Sequence, residues 1–184
     1  MRPGLRCCHG GLTVLELLIA VVVVATLAAV ALPRLGAARE AAHSGAAHQA
    51  LVGSLMAAAS HAASTGAEVV LCPGDVQACW ATQDWSRGWI VFADLDGDRV
   101  HDRYETLLRR ERPLGGKAHL RSTPGRTRLV FQPNGNAAGS NVTFTLCDGR
   151  GPERATALVM DSIGRLRGAP ATSDAAKACV ATLK

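Results

Sequence analysis

Aromatic residues are scarce in this chain, with three Trp, three Phe and one Tyr among 184 residues. A core built with so few rings must be mainly aliphatic, and Trp80, Trp85 and Trp89, gathered within ten residues, are expected to supply much of the buried area. The other reading of that cluster is a stacking surface for bases or for a partner. The patterns of catalysis are also missing: there is no nucleophile elbow, no phosphate-cradling glycine loop and no paired catalytic carboxylate. An enzyme is therefore not expected, and no cofactor is implied. Among Cys72, Cys79, Cys147 and Cys179 no pair has the C-x₂₋₄-C spacing of a zinc site and no histidine neighbours one. His43, His48 and His61 have no i,i+4 partner and read as surface residues. Internal repeats are absent.

What is present begins with a long apolar run. Leu12 to Leu32 is interrupted only by Thr13, Glu16 and Thr26, and about 20 apolar residues span a bilayer. A carboxylate inside such a span costs roughly 2.5–3.5 kcal/mol on insertion scales and needs a partner. A secretory signal would end its apolar core after 7–15 residues at a small-residue cleavage site, whereas this core runs on to Leu32. The remaining alternative is an ordinary signal anchor in which Glu16 has no role.

The residues around the run carry a resemblance. A short basic leader (Arg2, Arg6) ends in Gly10-Gly11 and is followed by Leu12-Thr13-Val14-Leu15-Glu16 and a long aliphatic stretch. This resembles the class III signal of type IV prepilins and type II secretion pseudopilins, except that Leu12 stands where most members have Phe. The resemblance implies cleavage by a membrane prepilin peptidase between Gly11 and Leu12, with methylation of the new amino terminus. Glu16 would then be the fifth residue of the mature chain and Pro33 its twenty-second. It implies too that Glu16 pairs with the cationic amino terminus of a neighbouring subunit, since only a paired charge is tolerable in low dielectric.

The expected organisation is a leader over residues 1–11, a transmembrane helix over 12–33, an amphipathic continuation over 34–65 and a β-rich periplasmic domain over 66–184. Leu35, Ala38, Ala42, Leu51, Leu55, Ala58 and Ala62 recur at helical steps and form the expected packing stripe. Pro33 is expected to kink or melt the helix, Ser44-Gly45 is a second weak point, and Gly66 is placed to end it. Short runs then read as strands: Val69–Cys72, Trp89–Ala93, Glu105–Arg109, Arg128–Gln132, Val142–Cys147, Ala155–Asp161 and a last one near Leu166. Such strands favour an antiparallel sandwich or meander. Residues 133–140 read as a hairpin tip, Ser162-Ile163-Gly164 as a turn, and the segment after Gly168 as a tail held only by Cys179.

Cys7 and Cys8 fall in the leader, which leaves Cys72, Cys79, Cys147 and Cys179 in the exported part. Four cysteines in an oxidising compartment read as two disulfides. Three connectivities are open, of which Cys72–Cys79, a short loop, and Cys147–Cys179, tying the tail to a strand, are favoured.

The order Cys72-Pro73 to Cys79, Asp84-Trp85-Ser86-Arg87-Gly88-Trp89, an Asp-rich turn, Phe131-Gln132-Pro133-Asn134-Gly135, Cys147-Asp148-Gly149-Arg150-Gly151 and Gly164-Arg165-Leu166-Arg167 is similar to the FimT/GspH-type minor pseudopilins. That likeness implies a pilin-like α+β fold, a long helix packed on an antiparallel two-sheet β domain. It also implies residence in the bacterial inner membrane as a single-pass protein, followed by assembly with other pilin or pseudopilin subunits into a filament.

Charge divides along the chain. Residues 66–108 carry three basic against eight acidic side chains, a balance of −5, and residues 109–184 carry thirteen against five, a balance of +8. Gly164-Arg165-Leu166-Arg167 matches the Gly-Arg-x-Arg motif implicated in DNA binding by FimT-type pilins. In an extended segment Arg165 and Arg167 face the same way, about 6–7 Å apart, near the spacing of successive phosphates, and guanidinium forks suit phosphate. With Arg150, Arg154 and Lys177 as neighbours they would form a salt-sensitive surface for DNA of any sequence. A solvated hairpin is the alternative. For the chain as a whole, the expectation is a minor pilin that captures DNA during uptake, with a type II secretion pseudopilin or a purely structural pilus subunit as rivals.

Asp94-x-Asp96-Gly97-Asp98, with Glu105 eleven residues after Asp94, resembles the oxygen-rich loop of an EF-hand. The glycine is misplaced, because the sixth position is Arg99, and the flanks read as strands. A polar turn is the favoured account, with a calcium site the alternative.

Overall fold

In the computed structural model, residues 13–137 and 139–183 are described. The chain divides after residue 36 into two compact units, both of which draw on one helix, α1 (Val14–Thr65). Among its described residues the first unit is helical from Val14 onward, with large apolar side chains about half to three-quarters exposed, from Val14 at 76% to Leu35 at 54%.

In the second unit α1 is seated on β-structure. Its buried stripe is Ser44, Ala47, Leu51, Ser54, Leu55, Ala58 and Ala62, the three- and four-residue steps of one helical face. The expected stripe is thus corrected at its start: Leu35, Ala38 and Ala42 are exposed, since the sheets cover only the later turns. The helix is not melted at position 33 or at Ser44-Gly45. A proline removes one helical hydrogen bond and leaves the neighbouring turns to hold, and the Ser44 hydroxyl donates to Asp148 instead of competing with the backbone. The helix ends where Gly66, at φ 73°, donates its N–H to the Ala62 carbonyl.

Eight strands follow: β1 (Glu68–Pro73), β2 (Trp89–Asp94), β3 (Leu107–Glu111), β4 (His119–Ser122), β5 (Leu129–Phe131), β6 (Val142–Cys147), β7 (Thr156–Met160) and β8 (Leu166–Pro170). They form two antiparallel four-stranded sheets, ordered β3-β2-β1-β5 and β4-β6-β7-β8. The main core joins the α1 stripe to one face of each sheet: Val69, Leu71, Val91, Leu129 and Phe131 from the first, Leu120, Phe144, Leu146 and Leu158 from the second. Trp85 and Trp89 are fully buried there, with Trp85 edge-on to Phe144 at 5.1 Å between centroids. The Trp89 indole N–H reaches Ser54 Oγ on α1 at 3.0 Å. Trp80 is half-buried and carries the Arg87 guanidinium over its ring. Alternate residues of β1 and β2, Val70, Cys72, Ile90 and Phe92, build a second cluster on the opposite face of the first sheet.

Several elements differ from expectation. The third strand starts at Leu107, because the Glu105 carboxylate accepts the backbone N–H groups of Leu95 and Asp102 and so belongs to the loop. Strand β4 was not expected, since His119-Leu120-Arg121-Ser122 has only one apolar residue; its pairing with β6 forms it. Residues 133–140 are no hairpin tip. They carry the chain from the first sheet to the second, with Ala137 fully buried. The tail folds into α2 (Ser173–Val180), whose Thr172 cap accepts from the Ala175 N–H at 3.4 Å. Disulfides join Cys72 to Cys79 and Cys147 to Cys179. The second holds α2 to β6 within a small cluster of Cys147, Ala155, Ala176 and Cys179.

Replacing Leu55, which is 1% exposed in the stripe, by Ala should lower stability by about 2–5 kcal/mol, as measured by chemical denaturation of the full chain in detergent. Replacing Cys147 and Cys179 together by Ser opens a loop of 32 residues and should cost about 3–4 kcal/mol on the chain-entropy account.

Candidate functional site

The anchor half of α1 is apolar around its circumference, the pattern of a helix surrounded by lipid or protein. It is long and apolar enough to cross a membrane. Glu16 lies in its first turn, exposed among Val14, Leu15, Leu17 and Leu18, and its N–H is capped by Thr13 Oγ1 at 3.2 Å. Among the described residues its carboxylate has no ion-pair partner. Gly11 and Leu12, the expected cleavage junction, lie outside the described residues.

The second notable centre is Asp148, which the sequence reading passed over. It follows β6 and is 1% exposed. The Ser44 hydroxyl of α1 donates to its Oδ2, and Arg150 Nε and Nη2 donate at 2.9 and 2.7 Å. The backbone N–H of Arg150 adds a further bond at 2.9 Å. Burial by itself would raise the Asp148 carboxyl, but these donors outweigh it and hold the group below the usual carboxylate range. Arg150 is therefore committed to tying the β6–β7 turn and α1 together. Its proximity in sequence to Cys147-Asp148 was the signal for this role.

The remaining basic residues sit on several elements, with Arg154 and Arg150 beside Gly168 and Ala169 of β8. Arg165 and Arg167 flank Leu166 at the start of β8, an edge strand, and both are exposed. Gly164 has φ 83° in the β7–β8 turn, a left-handed conformation that explains its glycine without reference to a ligand. The Asp161 carboxylate closes this turn by accepting the N–H groups of Ile163 and Arg165, and pairs with Arg165 Nε at 3.1 Å. Those bonds, the Arg165 backbone N–H first, hold the Asp161 carboxyl below its ordinary range. Thr156 pairs with Pro170 and Met160 with Leu166, so Arg150 and Arg154, which precede Thr156, lie at the other end of the ladder. The separation along β7 is roughly 13 Å at 3.3 Å per residue. Lys177 is exposed on α2. Other arginines of the basic half are spread further: Arg121 donates to the Ala178 carbonyl, Arg126 to Asn141 and Arg128 to the Arg99 carbonyl.

A long amino-terminal helix of which one half is an apolar anchor and the other lies on two antiparallel sheets defines a pilin-like protein. The sequence model of the family described as type II transport protein GspH matches residues 47–164. The chain belongs to this family, a minor pilin and pseudopilin family of structural subunits. Among solved structures it is similar to the type IV minor pilin FimU of Pseudomonas aeruginosa (strain PAO1). One crystal form matches with a TM-score of 0.55 and 17% identity over 74% of this chain and 90% of that one. A second matches with a TM-score of 0.54 and 19% identity over 71% and 94%. At these identities the likeness shows the shared fold. No curated protein sequence matches significantly.

Because the folded Asp148 carboxyl is depressed, its stabilisation is fully present above the unfolded value of about 3.9 and is lost as pH falls through the folded value. Asp148→Asn should therefore lower stability near neutral pH by about 1.5–3 kcal/mol. It should also flatten the loss of stability below about pH 4, as read by denaturation midpoints over a pH series.

Proposed function

We propose that this chain is a minor subunit of a type IV pilus-type filament, held in the inner membrane by residues 12–33 until assembly, with its β domain in the periplasm. The observation that carries the reading is the anchor half of α1, which exposes apolar side chains on every face and, near its start, one carboxylate without an ion-pair partner among the described residues. A membrane satisfies the apolar surface before assembly, and packing against neighbouring subunits satisfies it in the filament. Glu16 then meets the amino terminus of an adjacent subunit, freed by prepilin peptidase between Gly11 and Leu12, and that pair fixes register. Mass spectrometry of the mature protein should show loss of eleven residues and gain of one methyl group. Glu16→Ala should insert into the membrane normally and fail to enter the filament, whereas normal assembly of this variant would remove the register argument.

The finer reading is DNA capture by Arg165 and Arg167 on the β8 edge during uptake. Their exposure supports it, and the Asp161–Arg165 pair is exposed to solvent and weak, so that a phosphate can displace it. Contact at two arginines makes binding weak, indifferent to sequence and dependent on salt. Replacing both by Gln should reduce affinity for labelled duplex and lower the salt slope by up to about two. The comparison uses the unit from residue 37 onward at several salt concentrations. The rival reading, a type II secretion pseudopilin that helps to export proteins, is supported by the family description and needs neither arginine. Equal binding by wild type and variant, or none by either at low salt, decides for it.

A further inference from the structure

The loop between β2 and β3 concentrates acid without neutralising it. Asp94, Asp96, Asp98, Asp102 and Glu105 fall within twelve residues, and among the described residues none of them forms an ion pair. One carboxylate oxygen from each of Asp94, Asp96 and Asp98 lies within 4.8 Å of those of the other two. Proximity of exposed acids alone would carry no weight, but Asp94 is 3% exposed. Its Oδ1 accepts from the Gly97 N–H at 3.0 Å, while its Oδ2 is buried and has no hydrogen-bond partner. An unpartnered carboxylate oxygen withdrawn from water is costly, and this one belongs to the group that shares the cluster with Asp96 and Asp98.

We propose that Asp94, Asp96 and Asp98, with Asp102 and Glu105 at the far end of the loop, bind one calcium ion. The donors are all hard oxygens, and an irregular loop that can supply several of them suits calcium better than magnesium, which demands near-ideal octahedral geometry. Counting Asp94 as the first position, carboxylates stand at the first, third, fifth, ninth and twelfth, the side-chain positions of an EF-hand loop. The objection from sequence, Arg99 in place of the glycine at the sixth, is met by its backbone, since Arg99 is the one described non-glycine residue with positive φ, at 62°. Strands replace the flanking helices, so the resemblance is confined to the loop. Glu105 is held against the loop by accepting the N–H groups of Leu95 at 2.9 Å and Asp102 at 3.3 Å.

The test is calorimetric titration of the full chain in detergent micelles with calcium chloride, beside a series of melting temperatures. Wild type should bind one ion per chain with a dissociation constant of about 10⁻⁴–10⁻³ M, the range of extracellular modules, and its melting temperature should rise to a plateau. Magnesium should bind at least about tenfold more weakly. Asp96 and Asp98 are exposed, so Asp96→Asn with Asp98→Asn should preserve the calcium-free melting temperature and weaken calcium binding by roughly tenfold or more. Glu153→Gln, an exposed acid on another loop, should bind as wild type does. Absence of saturable binding by wild type up to about 10 mM, ten times the weakest of these constants, overturns the proposal, as does undiminished binding by the double variant or equal binding of magnesium. If the double variant melts early, Asp98→Asn alone gives the same decision.

Discussion

The domain depends on one long helix supplying the third wall of a core that two small sheets cannot close by themselves. Each sheet has four strands, and the strands are three to six residues long, so neither could bury its inner face in isolation. Ala47, Leu51, Leu55, Ala58 and Ala62 fill that opening. The stripe combines small and large side chains, packed in one cluster with the aromatic residues Trp89, Phe131 and Phe144. Two polar bonds, one at the start of this contact and one in its middle, give it a defined register. Ser54 receives the Trp89 indole, and Ser44 donates to the buried Asp148.

That arrangement divides one helix into two unlike halves. Its later turns obtain their stability from aqueous burial of an amphipathic face, while its early turns carry apolar residues with no partner in the same chain. On the proposed function, membrane insertion and filament assembly draw on the early turns, and folding of the domain and recruitment into a filament become separable properties of one element. The two disulfides secure what the core leaves at its margins. One closes the loop after β1, and the other fixes α2 to β6, where small side chains, Ala155 and Ala176 among them, join the cluster.

Charge follows the same division between what stabilises and what remains free. Arg150 is absorbed by Asp148, Arg128 and Arg121 by backbone carbonyls, and Arg165 in part by Asp161. The positive balance of the second half of the chain is thereby spread over several elements, and Arg167 is left on the β8 edge without an ion-pair partner among the described residues. The acidic first half behaves differently: between β2 and β3 its carboxylates gather in one loop, because the spacing of two places alternate residues together as the chain turns.

The sequence by itself determined the anchor, the position of Glu16, the end of the helix at Gly66 and most strands, because hydrophobic periodicity and glycine punctuation act within a few residues. It also determined the family, through the order of its motifs. The tertiary structure alone decided which turns of α1 are buried, since Ala38 and Ala42 have the same composition as the stripe and differ only in what lies above them. It decided that a four-residue polar segment becomes β4, that residues 133–140 cross between sheets, and that an alanine-rich tail becomes α2 on a disulfide. It committed Arg150 to Asp148 and set Arg154 and Arg165 toward opposite ends of the β7–β8 ladder, a placement that chain order does not show. It made Asp148 a buried tie, a role that requires Ser44, 104 residues away, and no local pattern encodes a partner at that distance.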